Sequence, residues 1–248
     1  MVLEKGDFVK INYVGKIKES GAVFDTTIEK VAKAQKIYSE KFRFKAMPIV
    51  IGAGHVIKGL DEALVGSEVG EKKAVEIQPE RAYGLRDPKL IKVIPLKEFK
   101  RQGMAPAPGM RVEADNKVGK VQSVGGGRVL VDFNYELAGK VLEYEVNVEE
   151  KINKTEEKIR HLLELHFPYS EPNDHEIKLE EKKAIIALAE VTKLKAEALL
   201  GKHAVARDVF QFLNAVEEVE FRETFKRPKP EEKKAEAAST EAKAETPG

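Results

Sequence analysis

Two runs of strict two-residue alternation stand at opposite ends of the first 150 residues: Val9, Ile11 and Tyr13 alternate with Lys10 and Asn12, and Leu142, Tyr144, Val146 and Val148 alternate with Glu143, Glu145 and Asn147. Successive side chains of a strand point to opposite faces, so each run makes a strand with one face buried and the other wet. Such a strand needs neighbours that bury the same face, and the second run is expected to return to the sheet that the first begins. Everything between them is then either more of that sheet or an excursion from it.

Further strands are expected at Met47 to Ile51 and Lys73 to Ile77. Between these lie the Gly52-Ala53-Gly54 turn and a short amphipathic helix from Lys58 to Val65, stopped by Gly66. Residues 86–134 have a different character. Pro95 opens a short helical piece through Phe99, Pro106 and Pro108 interrupt, and three short strands follow. The clearest hairpin joins Lys117 to Val124 with Val129, Val131 and Phe133 through Gly125-Gly126-Gly127, where glycine supplies the positive φ of a tight turn. After Glu150 the pattern turns helical, with Asn153 as N-cap, Glu156 three residues on, an apolar stripe of Ile159, Leu162 and Leu163, and Pro168 as the stop. Strands are expected at His175 to Glu180, Ala184 to Glu190 and Val216 to Phe225, and a helix from Thr192 to Leu213 with Gly201 as a break. Residues 227–248 hold no large apolar side chain and are expected to be a disordered tail. The fold class is α+β.

Composition removes most chemistries. The chain has no cysteine, hence no disulfide, thiolate nucleophile or cysteine metal site, which fits a reducing compartment. With 43 basic and 42 acidic residues nothing calls for a nucleic-acid partner. No apolar run reaches the roughly 18 residues of a membrane span, and the first residues have no apolar signal-like stretch, so a cytoplasmic protein is expected. The five histidines, at 55, 161, 166, 175 and 203, lack the spacing that puts paired ligands on one helix face, so no metal is expected. Gly52-Ala53-Gly54 is half of a dinucleotide fingerprint and reads as a tight turn. Nucleophile elbows, zinc-binding helical motifs and phosphate loops do not occur.

What remains is an ordered series: Val23-Phe24-Asp25, then Val56 to Leu64 (Val-Ile-Lys-Gly-Leu-Asp-Glu-Ala-Leu), then Val69-Gly70-Glu71-Lys72, then Ala82-Tyr83-Gly84. In this order and at these intervals the motifs resemble those of the FK506-binding-protein (FKBP) family of peptidyl-prolyl cis/trans isomerases. The insertion after Ala82-Tyr83-Gly84 resembles the insert-in-flap domain of the SlyD-like branch, and Asn134 to Lys140 (Asn-Tyr-Glu-Leu-Ala-Gly-Lys) resembles that branch's return sequence. The part after residue 150 resembles the extra domain of long archaeal members.

The resemblance implies an antiparallel sheet wrapped on a short helix, formed by 1–85 and 135–150, a small β-rich flap domain at 86–134 that binds clients, and an α+β domain at 151–226. It assigns Tyr13, Phe24, Asp25, Ile57 and Tyr83 to catalysis and Met47, Val56, Leu60, Leu137 and Tyr144 to substrate binding. Leu60 stands where much of the family has Trp, as in the insert-carrying branch, which implies a roomier site. The flap residues expected to meet clients are Ile91, Val93, Leu96, Phe99, Met104, Val131 and Phe133, from a set of apolar residues large for so small a unit. Taken singly, Val56, Ile57 and Leu60 read as core residues beside a helix, Tyr13 and Tyr144 as sheet aromatics and Asp25 as a surface carboxylate. Only their joint order lifts them. Partners implied are unfolded or nascent polypeptides, with no nucleic acid, membrane or cofactor. A homodimer through the C-terminal domain is expected from its sheet edges. Two other readings stay open: a holdase or adaptor with little catalysis, and a C-terminal domain that docks on a fixed partner.

Overall fold

The computed structural model describes residues 2–40, 42–114, 117–193, 195–225 and 227, and packing divides the chain into two compact units, Met1–Leu165 and His166–Gly248. The expected tail lies, but for Arg227, outside the described residues. The first unit opens with β1 (Phe8–Ile17), β2 (Val23–Thr26), the short helix α1 (Glu29–Ala34), β3 (Met47–Val50), α2 (Lys58–Leu64) and β4 (Lys72–Ile77). The chain then leaves this sheet as β5 (Ile91–Pro95), α3 (Leu96–Arg101), β6 (Arg111–Ala114), β7 (Lys117–Gly125) and β8 (Arg128–Asp132). It returns as β9 (Leu142–Ile152) and continues into α4 (Thr155–His166).

The main sheet has the order β2-β1-β9-β4, with β3 also paired to β1, and all its pairings are antiparallel. The two alternating runs are therefore neighbours, with Ile11 opposite Val148, Tyr13 opposite Val146 and Ile17 opposite Leu142. Their inward side chains form the core with Ile49, Ile51 and Ile77, and α2 lies on that core through Leu60 and Leu64. A Cβ on Gly59 would come within 2.4 Å of Ile77 Cγ2, so only glycine lets this helix approach β4 so closely.

The excursion is a four-stranded sheet of order β5-β8-β7-β6 with its own core of Phe99, Val112, Val121, Val129 and Val131. Three of its strands, the helix and the Gly126-Gly127 turn match the sequence expectation. β5 does not, because Ile91-Lys92-Val93-Ile94-Pro95 shows no clean alternation and ends on proline. Two expected client-binding residues are corrected here. Phe99 and Val131 are 4% and 0% exposed and face the flap's own core. Ile91, Leu96, Met104 and Phe133 are half-buried, and Val93 is exposed.

The second unit contains β10 (Glu176–Glu180), β11 (Lys183–Ala187), α5 (Ala198–Phe212) and β12 (Glu218–Arg222), with the sheet order β10-β11-β12. β11 and β12 are parallel, so the connection between them must cross over, and α5 supplies it. Gly201 does not break this helix. It is buried in it, and a Cβ there would stand 2.9 Å from the Phe167 ring. The expected helical start at Thr192 is instead a 3₁₀ turn, Glu190–Thr192. No helix of the described residues is long and apolar enough to cross a membrane.

Helix α4 packs on the first unit, so the division by packing falls at its last residue, whereas the expected sequence boundary lay at 151. His161 is the reason. Its Nε2 donates to the Ile49 carbonyl at 3.0 Å, its ring meets Phe8 edge-on at 5.7 Å, and Lys158 lies 5.2 Å from the Phe8 ring centre. The ring is 2% exposed and Nδ1 has no hydrogen-bond partner among the described residues. Burial lowers its pKa to about 4 from 6.5, against a smaller opposing effect of the Ile49 carbonyl. Between these values the unfolded chain takes up a proton that the folded unit refuses. Stability from this site is therefore complete above pH 6.5 and is lost as pH falls towards 4, in all by about 3 kcal/mol. Urea unfolding of the first unit at pH 7.5 and 4.5 checks this: His161→Gln, whose amide can still donate to Ile49, should lose clearly less stability on acidification than the parent. Equal losses would overturn the assignment.

Candidate active site

The concave side of the main sheet and the turn before α2 enclose a cleft of ≈ 420 Å³. Tyr13 comes from β1, Asp25 from β2, Met47 from β3, Gly54, His55, Val56 and Ile57 from the turn, Leu60 from α2, Tyr83 from the segment after the 3₁₀ turn Pro79–Arg81, and Tyr144 from β9. Eight of the ten expected pocket residues thus line one cavity. Phe24 and Leu137 do not line it: Phe24 packs edge-on against Tyr144 (5.9 Å, 81°), and Leu137 is 8% exposed in the core. Phe24 thus touches the cleft through the Tyr144 ring.

Local sequence explains each placement. Gly15 on β1 faces Tyr144 across the β9 pairing, and a Cβ there would lie 2.9 Å from Phe24 and 3.2 Å from Tyr144. The missing side chain makes the space both rings fill. The Gly52-Ala53-Gly54 turn is held by Asp61 of α2, whose carboxylate accepts from the backbone N–H of Gly52 (2.8 Å) and Gly54 (3.1 Å). That pins the turn to the helix and so sets His55, Val56 and Ile57 at the cleft. The turn reading of these glycines holds. His55 lines the cleft and was not singled out from sequence; its Nδ1 accepts from the Val50 backbone N–H at 3.0 Å, a bond that no local pattern announces.

The polar part of the site centres on Tyr13 and Asp25. The Tyr13 hydroxyl donates to Asp25 Oδ2 at 2.7 Å. The rings of Tyr13 and Tyr144 lie 5.6 Å apart. Burial, reinforced by the Asp25 charge, pushes the Tyr13 phenol far above its ordinary value. Burial does the same to Tyr144, helped by its tyrosine neighbours, and raises Tyr83 too. These phenols are neutral hydrogen-bonding groups at any working pH. A serine and a histidine do meet in the second unit, but as structure. The Ala189 N–H occupies His175 Nδ1 (3.2 Å), which leaves Nε2 to donate to Ser170 Oγ (2.8 Å), while the Ser170 hydroxyl donates to the Phe167 carbonyl (3.0 Å). This histidine cannot take the serine's proton.

Comparison with known proteins decides the family. The model of the FKBP-type peptidyl-prolyl cis-trans isomerase matches residues 2–100, that of the FKBP26 IF domain residues 92–137, and that of the FKBP26 C-terminal region residues 155–226. The chain is 42% identical over 147 residues to the short-type peptidyl-prolyl cis-trans isomerase of Methanocaldococcus jannaschii, covering 59% of this chain and 92% of that one. The chain belongs to the FKBP-type peptidyl-prolyl cis-trans isomerases. It is also similar to the probable FKBP-type 16 kDa isomerase of Pseudomonas fluorescens, at 30% over 135 residues, 52% of this chain and 79% of that one. The SlyD isomerase of Haemophilus influenzae is 36% identical over 115 residues, 44% of this chain and 60% of that one.

In this isomerase the raised phenols have a kinetic consequence. A tyrosine at its ordinary value of 10.0 would be half ionised at pH 10, whereas Tyr13, Tyr83 and Tyr144 stay protonated beyond it. Turnover of a proline tetrapeptide should therefore hold level from pH 8 to 10. A halving of the rate across that range, with the fold intact by circular dichroism, would show that a cleft phenol ionises.

Proposed function

We propose that the cleft twists X-Pro bonds of unfolded and newly made chains while the flap domain holds those chains. The observation that carries this reading is an apolar cleft whose tyrosines stay neutral. Prolyl isomerisation requires no bond to form or break. Its barrier of roughly 20 kcal/mol is amide resonance, lost when the C–N bond turns. A twisted amide is less polar than a planar one, so transfer from water into a wall of Met47, Val56, Ile57 and Leu60 penalises the planar ground state more. The backbone N–H of Ile57, at the start of α2, holds a substrate carbonyl, and Tyr13 with Asp25 forms the polar edge that orients the peptide. The cytoplasm is the compartment that suits a chain without cysteine.

The flap supports client holding because its core does not absorb all of its apolar residues. Val93, Val118, Met110 and Val124 remain 59%, 64%, 38% and 37% exposed, apolar side chains that an extended client could cover. The flap is rooted at Asp87 and Asn134, which are hydrogen-bonded to each other, and Asp87 follows Tyr83 of the cleft by a few residues.

Two measurements test the division of labour. Leu90 and Phe133 are hydrogen-bonded through their backbones (2.9 Å), so residues 91–132 can be replaced by a short glycine linker. Turnover of a tetrapeptide should stay within a few-fold of the parent, and catalysis of proline-limited refolding of an unfolded protein should fall by about tenfold or more, because a tethered client raises the local concentration of X-Pro bonds. Equal losses on both substrates would mean that the flap shapes the cleft and recruits nothing. Asp25→Ala should lower tetrapeptide turnover by about three- to tenfold, the worth of one hydrogen bond, with the thermal midpoint little changed. Full turnover in that variant would remove Asp25 from the mechanism.

A further inference from the structure

The net charge of +1 is unevenly spread along the chain: residues 29–45 hold six basic and two acidic side chains, a local surplus of +4, and the remainder is acidic. Tyr38, Phe42 and Phe44 are interleaved with that charge. The backbone explains how they meet. Helix α1 ends at Ala34, and Lys36 takes a positive φ of 58°, which turns the chain back so that the N–H groups of Lys36 and Ile37 donate to the Lys33 and Ala32 carbonyls (3.2 and 3.0 Å). Tyr38 thereby comes under Lys33, whose Nζ lies 4.9 Å from the tyrosine ring centre, and it stacks on Phe44 with centroids 5.3 Å apart and planes at 19°. Phe42 is 69% exposed and Tyr38 42%. Lys30, Lys36 and Arg43 are exposed as well. The far end of the segment is tied to α4 by Lys45, which pairs with Glu164 at 2.5 Å.

We propose that this segment is a docking surface for single-stranded RNA. A phosphate backbone answers the surplus of positive charge, and exposed aromatic rings offer the flat apolar faces on which unpaired bases stack. An acidic peptide would answer the charge and leave the rings unused. A duplex keeps its bases stacked on one another and leaves them unused too. Lys33 already pairs with Glu29 (2.6 Å), but an exposed pair of this kind exchanges for a phosphate at little cost. RNA is the single strand that lies beside chains being synthesised, and that choice rests on the reading of newly made chains as substrates. Binding itself asks nothing of the cleft, so the two readings fail separately.

The test is binding of a fluorescently labelled oligouridylate of about a dozen nucleotides to the full chain, read by anisotropy across a salt series. Binding should be in the micromolar range at low salt and weaken with a log–log slope of about −2, since Lys30, Lys36 and Arg43 meeting three phosphates give about −0.7 each. Phe42→Ala should weaken it by about five- to tenfold, the lower range for one stacked base. Lys30→Glu combined with Lys36→Glu should flatten the slope to about −0.7. Tetrapeptide turnover and the thermal midpoint should stay at the parent's values in both variants, because the residues changed are exposed and lie outside the cleft. No binding at low salt overturns the proposal, and so does parent-like binding in both variants, which would put the contact elsewhere on the chain. Tighter binding of an oligoglutamate of equal charge would make the segment a peptide surface, and tighter binding of an RNA duplex of the same length would make it a surface for charge alone; either overturns it. A parent that binds the oligonucleotide but turns over no tetrapeptide supports the docking surface and strikes at the cleft as the isomerising site.

Discussion

The pairing of β1 with β9 joins Phe8–Ile17 to Leu142–Ile152 in antiparallel register, across nearly the whole first unit of the chain. The core and the cleft both hang on it. It sets Ile11 against Val148 and Tyr13 against Val146, and it puts Tyr144 opposite Gly15, where a cavity is left for the rings of Tyr144 and Phe24. A register slip of one residue would turn every one of these side chains to the other face. Because the pairing closes the sheet regardless of what lies between its strands, a whole flap domain can be inserted after Gly84 without disturbing the cleft. The entropic cost of a longer closed loop grows only logarithmically.

The other face of β1 carries a second dependence. Phe8 is fully buried although it precedes the inward-facing Val9, because α4 covers it through His161. The chain therefore needs a helix beyond its last sheet strand to complete the first unit. Tyr144 extends the same logic to the site. Its ring packs against Tyr13 and Phe24, and burial keeps its phenol protonated, so the cleft gains a wall without gaining a group that ionises. For a reaction whose barrier is the loss of amide resonance, a wall that joins apolar side chains to neutral phenols is a useful arrangement.

Legibility in the sequence followed the range of the interaction. The alternating strands, the short helix at Lys58 and the glycine hairpin of the flap are local patterns and were readable as such. The joint order of four short motifs identified most of the cleft, since Tyr13, Asp25, Met47, Val56, Ile57, Leu60, Tyr83 and Tyr144 come together around one cavity. What could not be read is set by partners distant in sequence. Gly201 reads as a helix breaker, yet it is the place where α5 meets Phe167. Phe99 and Val131 count as surplus apolar residues until the flap sheet shows which face they share. His55 carries no motif, and only the Val50 N–H gives it a place.

The root of the flap shows how two domains on one chain can act as one device. Asn134 exchanges two hydrogen bonds with the Asp87 backbone, and its own N–H and side-chain amide both donate to Asp132 Oδ1, at 2.9 and 2.7 Å. Asp132 is 7% exposed, is paired with Arg86, and has its carboxyl held below the ordinary range by Asn134 and Arg86 despite its desolvation. Each of these residues lies within a few positions of either end of the insertion, so the two crossing strands are clamped where they leave the main sheet. Two further charges, Arg111 and Lys120 on the flap, reach Glu136 on the return segment at 3.1 and 4.0 Å. Exposed pairs of this kind contribute little to stability, but they bias orientation. The flap is thus joined to the main sheet by a root of defined geometry rather than by a floppy linker. If the flap holds chains as proposed, the effective concentration at the cleft depends on the clamp of Asp87, Asp132 and Asn134 more than on the number of residues inserted between them.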